Sequence, residues 1–383
     1  MKKVLYVFSG EKASGAEIVL ERLISYNRSS VEPHLFISPG KFADELISAA
    51  GKTYPIITVN RLRKLNRSST STFRFLKEAL KNYFLVSSQV IKYVRKNEIT
   101  HIHANTIVPA SYLILAIIYS RFLKKRKVWI WSDHDLQYFS KIDILFSKIC
   151  AILYSKTFVV SKAVKKKYGN KKSVVVLYNG LDLEVYKAND TEKDAFRKEN
   201  KFLNDQLIIS IAATISPRKG QLQLIKVFKL LTSSYTNINL VIAGSFGHDD
   251  DYYNTEVKNA IKDNQNIFYF GHVANMIQLY CGSDVIINNS NKSGGEPLGT
   301  TIYEAMACEK IVIASDTGGT QEIITNKEDG FVFDAEDDES LKETLEFVIV
   351  NINSLNEMKK RARRKAEKKF NINTMINNYN NLM

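Results

Sequence analysis

One alternation limits what this 383-residue chain can fold into. Short apolar runs are each followed by a small-residue or polar turn, and then by a stretch of helical period. Val4 to Phe8 leads into S-G-E-K-A-S-G-A-E and then Ile18, Val19, Leu20, Leu23 and Ile24. Leu207 to Ala213 restarts the pattern through T-I-S-P-R-K-G into Leu222, Leu224, Ile225, Val227 and Phe228. A strand, a glycine-bearing loop and an amphipathic helix open a doubly wound α/β domain. Two such openings in a chain of this length imply two α/β domains.

Further strands are expected at 31–38, 54–59, 99–103, 128–131, 157–161 and 174–177 in the first half. The second half adds 240–243, 267–270, 284–287, 311–314 and 330–333. Residues 184–205 are polar with little periodicity and read as a linker. A basic helix is expected from Met358 to Lys369, followed by a polar tail, Asn371 to Met383. Gly10 and Gly15 do not form G-x-G-x-x-G, which removes the main support for a dinucleotide-dependent dehydrogenase.

Three cysteines, Cys150, Cys281 and Cys308, lie far apart in apolar or helical contexts. They make neither a disulfide framework nor a zinc pattern and read as buried thiols in a reducing compartment. The longest apolar stretch, Ile107 to Tyr119, is short of the ~20 residues that span a membrane. The apolar run after Met1 is too short for a signal peptide and reads as a first strand. Charge divides the halves: residues 1–182 carry a net +19 and residues 183–383 a net −5. Such asymmetry suggests different partners for the two domains, an anionic one for the first.

The densest chemical signal is S-G-G-E-P-L-G-T-T-I-Y-E, Ser293 to Glu304. Glu296 sits on a loop. A helix starting near Leu298 or Gly299 carries Glu304 about one and a half turns in, among Ile302, Ala305, Met306 and Ala307. Free N–H groups at that helix start suit an anionic or polyhydroxy ligand. A carboxylate among apolar neighbours needs hydrogen-bond partners, which a sugar diol would supply; a solvent-facing Glu304 is the plainer alternative. Arg218 and Lys219 follow the Leu207 to Ala213 strand and suit a diphosphate. His134 falls at the C-terminal end of the Val128 to Trp131 strand, where open α/β sheets put ligand contacts. His101 and His103 share a strand face and read as core or strand-end histidines rather than a metal pair. Asp249 and Asp251 read as a solvated loop. Basic residues alternate with Leu, Phe, Tyr and Val from Arg61 to Asn97, as in a surface that meets anionic headgroups.

Taken in order, Arg218-Lys219-Gly220, Gly271-His272-Val273, Glu296-(seven)-Glu304 and Thr317-Gly318-Gly319 resemble the second domain of retaining glycosyltransferase family 4. Ser14 to Glu17, His134 and Asn179-Gly180-Leu181-Asp182 agree with its first domain. The resemblance covers nearly the whole chain. The E-x-x-x-x-x-x-x-E stretch is its specific element, and Gly294-Gly295 is its one departure. It implies a GT-B fold, two Rossmann-like domains facing a central cleft. Residues 1–183 would bind acceptor, 184–205 would link, 206–369 would bind the nucleotide sugar, and 370–383 would pack back on the first domain.

The resemblance also implies roles. Glu304 would hold ribose hydroxyls and Glu296 the donor sugar. Leu298, Gly299 and Thr300 would offer backbone N–H groups to the sugar and diphosphate. Arg218 and Lys219 would neutralise the leaving diphosphate, with Gly15 allowing its approach. Gly271 and Val273 would meet the base, and His134 the sugar near the reacting carbon. Transfer would retain configuration without a protein nucleophile, metal or cofactor. The donor would be a nucleotide sugar, UDP-linked rather than GDP-linked. The acceptor would be a surface glycan or a polyprenyl-diphosphate-linked glycan. Arg63, Lys64, Arg67 and Arg74 would meet that acceptor or an anionic membrane, at the cytoplasmic face. A GT-B nucleotide-sugar epimerase and a basic nucleic-acid-binding protein are the alternatives. The latter leaves Arg218, Glu296 and Glu304 without a task.

Overall fold

The computed structural model describes residues 1–12, 14–50, 53–63, 72–122, 126–138, 140–247, 250–262 and 264–383. Chain contacts divide it into two compact units, Met1–Gly180 with Ile372–Met383, and Leu181–Asn371.

In the first unit seven strands form one parallel sheet. They are β1 (Lys2–Phe8), β2 (Val31–Ile37), β3 (Ile56–Thr58), β4 (His101–Asn105), β5 (Val128–Asp133), β6 (Lys156–Val159) and β7 (Val174–Val176). Their order is β3-β2-β1-β4-β5-β6-β7, so the winding reverses between β1 and β4. Val4 through Phe8 are fully buried, as a strand covered by helices on both faces must be. That double burial is why these strands read as continuous apolar runs.

The second unit has six parallel strands, β8 (Leu207–Ala212), β9 (Ile238–Ala243), β10 (Ile267–Gly271), β11 (Val285–Asn288), β12 (Ile311–Ser315) and β13 (Phe331–Phe333). Their order is β10-β9-β8-β11-β12-β13, and the winding reverses between β8 and β11. Ile209, Ile211, Val285, Ile287, Ile311 and Ile313 meet Leu224, Val227 and Phe228 of the helix Gln221–Leu231 in one core. At roughly 1.5–3 kcal/mol per fully buried aliphatic side chain, such a core holds the strand ends rigid.

Two segments differ from their sequence reading. Residues 184–205 contain a helix, Asp190–Glu199, capped by the Asn189 side chain on the N–H groups of Thr191 and Glu192. Phe196 and Arg197 anchor it. A Cβ on Gly282 would collide with the Phe196 ring, and Arg197 reaches Asp284 at 2.7 Å and three backbone carbonyls. The helix shows so little periodicity because only those two residues are buried. The tail is helical as well, Ile372–Leu382. Ile372, Met375, Ile376 and Tyr379 recur at helical spacing and enter the core of the first unit. The asparagines between them disguise the stripe.

Candidate active site

The loops after β8 and β11 leave the second sheet at its reversal point, where open α/β sheets bind ligands. After β8, Pro217–Lys219 form a single 3₁₀ turn closed by left-handed Gly220. After β11, the loop runs to the helix Thr300–Ala307. The Asn291 N–H bonds the Arg218 carbonyl at 2.9 Å, which ties the two loops together.

Their side chains converge on Glu296. The Lys219 ammonium bonds its carboxylate, the Ser290 hydroxyl donates to the same oxygen at 2.9 Å, and the Arg218 guanidinium lies 4.0 Å away. Lys219 also reaches Ser290 Oγ at 3.3 Å. Lys219 and Glu296 side chains are each 13% exposed, whereas Arg218 is 46% exposed. Burial pushes the Glu296 carboxyl up, but the charges of Lys219 and Arg218 outweigh it and hold the group below its usual range. Burial pulls the Lys219 ammonium down, and Glu296 offsets part of that. Sequence reading gives Lys219 to the diphosphate as a point charge beside Arg218; in the structure it pairs with Glu296. Arg218 is the cation that solvent can reach.

Gly294-Gly295, the one departure from the family pattern, has a steric reason. A Cβ on Gly294 would overlap the Arg218 side chain. Gly295 takes φ +51°, a left-handed conformation, and its carbonyl accepts from Arg218 Nη1 at 3.2 Å. The glycines lay Arg218 flat against the loop. On the other side Gly318, at φ +53°, lets its backbone touch that of Glu296. The Gly319 N–H then bonds the Glu296 carbonyl at 2.8 Å.

The helix Thr300–Ala307 begins at Gly299, which offers no side-chain cap. Leu298 is buried and Thr300 half-buried. Glu304 is half-buried rather than solvated, and the Tyr280 hydroxyl donates to it at 2.7 Å. Burial first, then the adjacent Glu304 charge, raise the Tyr280 hydroxyl well above its ordinary value, so it remains a donor. Gly271 ends β10 at φ +62°, and its carbonyl accepts the Gly244 N–H at 2.6 Å. Val273 packs against the Phe196 cluster.

In the first unit, Gly15 begins the helix Gly15–Tyr26, and a Cβ there would meet nothing. His134 follows β5, with Nε2 3.0 Å from Asn105 Oδ1. Burial lowers its pKa to about 4, against a smaller upward pull from Asp133, so the ring is neutral at pH 7. Asp133 secures this loop. It pairs with Lys167 at 2.6 Å, accepts the Tyr168 hydroxyl at 2.5 Å and caps the Asp135 N–H at 3.1 Å. His103 is a core residue, held between the Tyr379 hydroxyl at 2.9 Å and Ser132 Oγ at 2.7 Å. Arg63 is exposed, and its carbonyl accepts the Tyr112 hydroxyl. Arg74 is exposed on the helix Thr72–Lys96. Lys64, Arg67 and Asp249 lie outside the described residues, and Asp251 opens the helix Asp251–Lys262.

Sequence reasoning missed Ser290, Tyr280, Asp133 and Lys167 as supports of these groups. Ser290 was within reach, since it closes the Asn-Asn-Ser run after β11. Nothing in the sequence marks Tyr280 or Lys167.

Residues 192–365 match the model of a family described as Glycosyl transferases group 1. The chain is 25% identical over 284 residues, 70% of this chain and 72% of the relative, to the capsular polysaccharide biosynthesis glycosyltransferase CapM of Staphylococcus aureus. It is 25% identical over 260 residues, 63% of this chain and 68% of the relative, to the spore coat protein SA of Bacillus subtilis. Among solved structures, Anabaena Alr3699/HepE in complex with UDP superposes at a TM-score of 0.82 with 20% identity, covering 100% of this chain and 99% of that one. The same protein in complex with UDP-glucose gives 0.79 with 20% identity, covering 99% and 98%. A glycosyltransferase of Rickettsia africae gives 0.82 with 18% identity, covering 100% and 97%. These likenesses show the GT-B fold.

Proposed function

We propose that the chain, a glycosyltransferase whose residues 192–365 match the glycosyl transferases group 1 model, moves a hexose or N-acetylhexosamine from a UDP-sugar to a glycan or lipid-linked acceptor with retention of configuration. The observation that carries this reading is the Arg218–Glu296–Lys219–Ser290 cluster at the reversal point of the second sheet. It offers one ionised acceptor for sugar hydroxyls beside one solvent-reachable cation for a diphosphate. UDP and UDP-glucose in the Anabaena structures support the donor, and the capsular role in the CapM name supports a polysaccharide product.

In this reading Glu304 holds the ribose hydroxyls and Glu296 those of the sugar. N–H groups around Leu298, Gly299 and Thr300 meet the sugar and diphosphate. Gly271 and Val273 border the base. Arg218 stabilises charge as the glycosidic bond breaks, because the leaving diphosphate gains it in the transition state. Lys219 keeps Glu296 ionised and adds to the positive field. The acceptor hydroxyl attacks the anomeric carbon from the face the diphosphate leaves, and its proton passes to the departing phosphate oxygen. Neutral His134 bonds the sugar without adding charge beside an oxocarbenium-like carbon. Gly15 leaves backbone room for the diphosphate. Arg63, Lys64, Arg67 and Arg74 meet the acceptor or the anionic surface that carries it, on the cytoplasmic side of the membrane.

The test is release of nucleoside diphosphate from UDP-, GDP- and ADP-sugars. UDP-sugars are expected to turn over, and Arg218→Ala to slow release roughly a hundredfold, the scale for a group that stabilises transition-state charge. Failure of every donor, an unslowed variant, or conversion to an epimer without release would each overturn the proposal.

A further inference from the structure

Three neighbouring helices of the Met1–Gly180 unit turn apolar side chains outward. On Thr72–Lys96, Leu80 is 72% exposed and Phe84 65%. On Ile114–Ser120 and the turn after it, Leu115, Ile118, Tyr119 and Phe122 are all exposed, Phe122 to 83%. Their spacing puts them on one face, with Ala116 and Ile117 buried behind them. On Lys141–Leu153, Ile142, Leu145 and Ile152 are exposed, Ile152 to 71%. The helices adjoin. Tyr83 of the first stacks on Phe146 of the third at 5.8 Å. Ser87 of the first accepts the Ala116 N–H of the second at 3.1 Å. In the Leu181–Asn371 unit Leu203, Leu230 and Tyr252 are exposed on separate elements, and Phe347 and Val350 are exposed on Asp338–Asn351, a helix with four acidic residues and one lysine.

We propose that this face rests on an anionic lipid bilayer. Charge complementarity selects that occupant. The outward side of Thr72–Lys96 interleaves Arg74, Lys77, Lys81, Lys92 and Arg95 with Leu80, Phe84 and Leu85. The acidic residues of the three helices are Glu78 and Asp143. Glu78 lies 3.9 Å from Arg61, and Asp143 is engaged by the Ser140 cap at 2.8 Å. Apolar and aromatic side chains flanked by lysine and arginine suit the boundary between headgroups and acyl chains. Among the described residues no helix is long and apolar enough to cross a membrane, so the contact is interfacial. The inference deepens the lipid-linked acceptor reading above, because an acceptor anchored in a bilayer is reached by an enzyme lying on it.

The experiment is co-sedimentation of the full chain with vesicles of phosphatidylglycerol and phosphatidylcholine, or of phosphatidylcholine alone. Two variants are compared, Phe84→Ser/Ile118→Ser/Phe122→Ser and Lys77→Gln/Lys81→Gln. All five positions are exposed, so both should fold, with melting temperature as the check. Wild type is expected to pellet with the anionic vesicles. The apolar variant should partition at least about tenfold less, and the lysine variant roughly fivefold less per charge removed. Nucleoside diphosphate release measured without vesicles should be unchanged in both. Three results would overturn the proposal: wild type remaining in the supernatant, an apolar variant that binds like wild type, or a wild-type dimer that the apolar variant splits, which would make a second copy the occupant. Failure of the transferase reading would appear instead as no release in vesicle-free buffer.

Discussion

Removing Lys219 tests how the site is held. The Glu296 carboxylate has three partners, Lys219, Ser290 at 2.9 Å and Arg218 at 4.0 Å. Of its two cationic partners, Lys219 is the close and largely buried one. Lys219→Met keeps the stem and deletes the charge, leaving a carboxylate 13% exposed without its ammonium. Breaking a fully buried pair costs about 3–5 kcal/mol, and the residual exposure reduces this to about 2–4 kcal/mol. Glu296→Gln keeps the shape and strands the ammonium at similar cost. Lys219→Met/Glu296→Gln strands neither charge, so it should be less destabilised than the sum of the single variants by about 1–3 kcal/mol. Urea unfolding at pH 7 measures all four proteins. The pair has a pH signature too. The lowered Glu296 pKa makes its contribution complete above the usual carboxylate range and lost as pH falls through the folded value. Additive costs, with coupling under about 0.5 kcal/mol, would refute the coupling.

Gly318→Ala should destabilise the second unit by at least about 2 kcal/mol, since alanine pays for a left-handed φ and its methyl would overlap the Glu296 backbone; an unchanged melting temperature would count against the contact. Acid should destabilise the first unit before carboxylates titrate. Burial lowers His103 to about 3, helped by His134, and His134 itself to about 4. The unfolded chain therefore binds more protons from about pH 6.5 down to those values, and stability falls with pH at about 1.4 kcal/mol per unit for each histidine. Urea midpoints at pH 6.5, 5.5 and 4.5 measure the slope, His103→Asn should remove its own share while His134 and His101, which burial also lowers to about 4, keep theirs, and a flat wild-type profile would contradict the burial of these rings.

What could be read from the sequence follows physical range. Strands buried on both faces, such as Val4 to Phe8 and Ile311 to Ala314, announce themselves because every residue on them is apolar. Their order put Arg218, Glu296 and His134 on strand-end loops, and the structure has them there. Helices that bury little are harder to see. Asp190–Glu199 rests on Phe196 and Arg197, and Ile372–Leu382 on four apolar positions among asparagines. Partnerships across long sequence separation were illegible. Lys219 and Glu296 are 77 positions apart, and His103 and Tyr379 are 276 apart. No local pattern joins such residues, because the sheet order brings them together. Gly294-Gly295 reads in the sequence only as a departure from the family pattern for the same reason: what holds it tight is the side chain of Arg218, from another strand end.

The central claim is that the reversal point of the second sheet binds a nucleoside diphosphate sugar through Glu304 and its neighbours. Titration calorimetry of UDP and UDP-glucose into wild type and Glu304→Gln tests it most directly. The glutamine keeps an oxygen for the Tyr280 hydroxyl, so folding should be nearly unaffected. Replacing charge-assisted bonds to the ribose by neutral ones should weaken binding roughly tenfold or more, on the scale of about 1.5–3 kcal/mol for a hydrogen bond to a charged group. Equal affinity in both proteins, or no binding of UDP, GDP or ADP to wild type, would contradict the account.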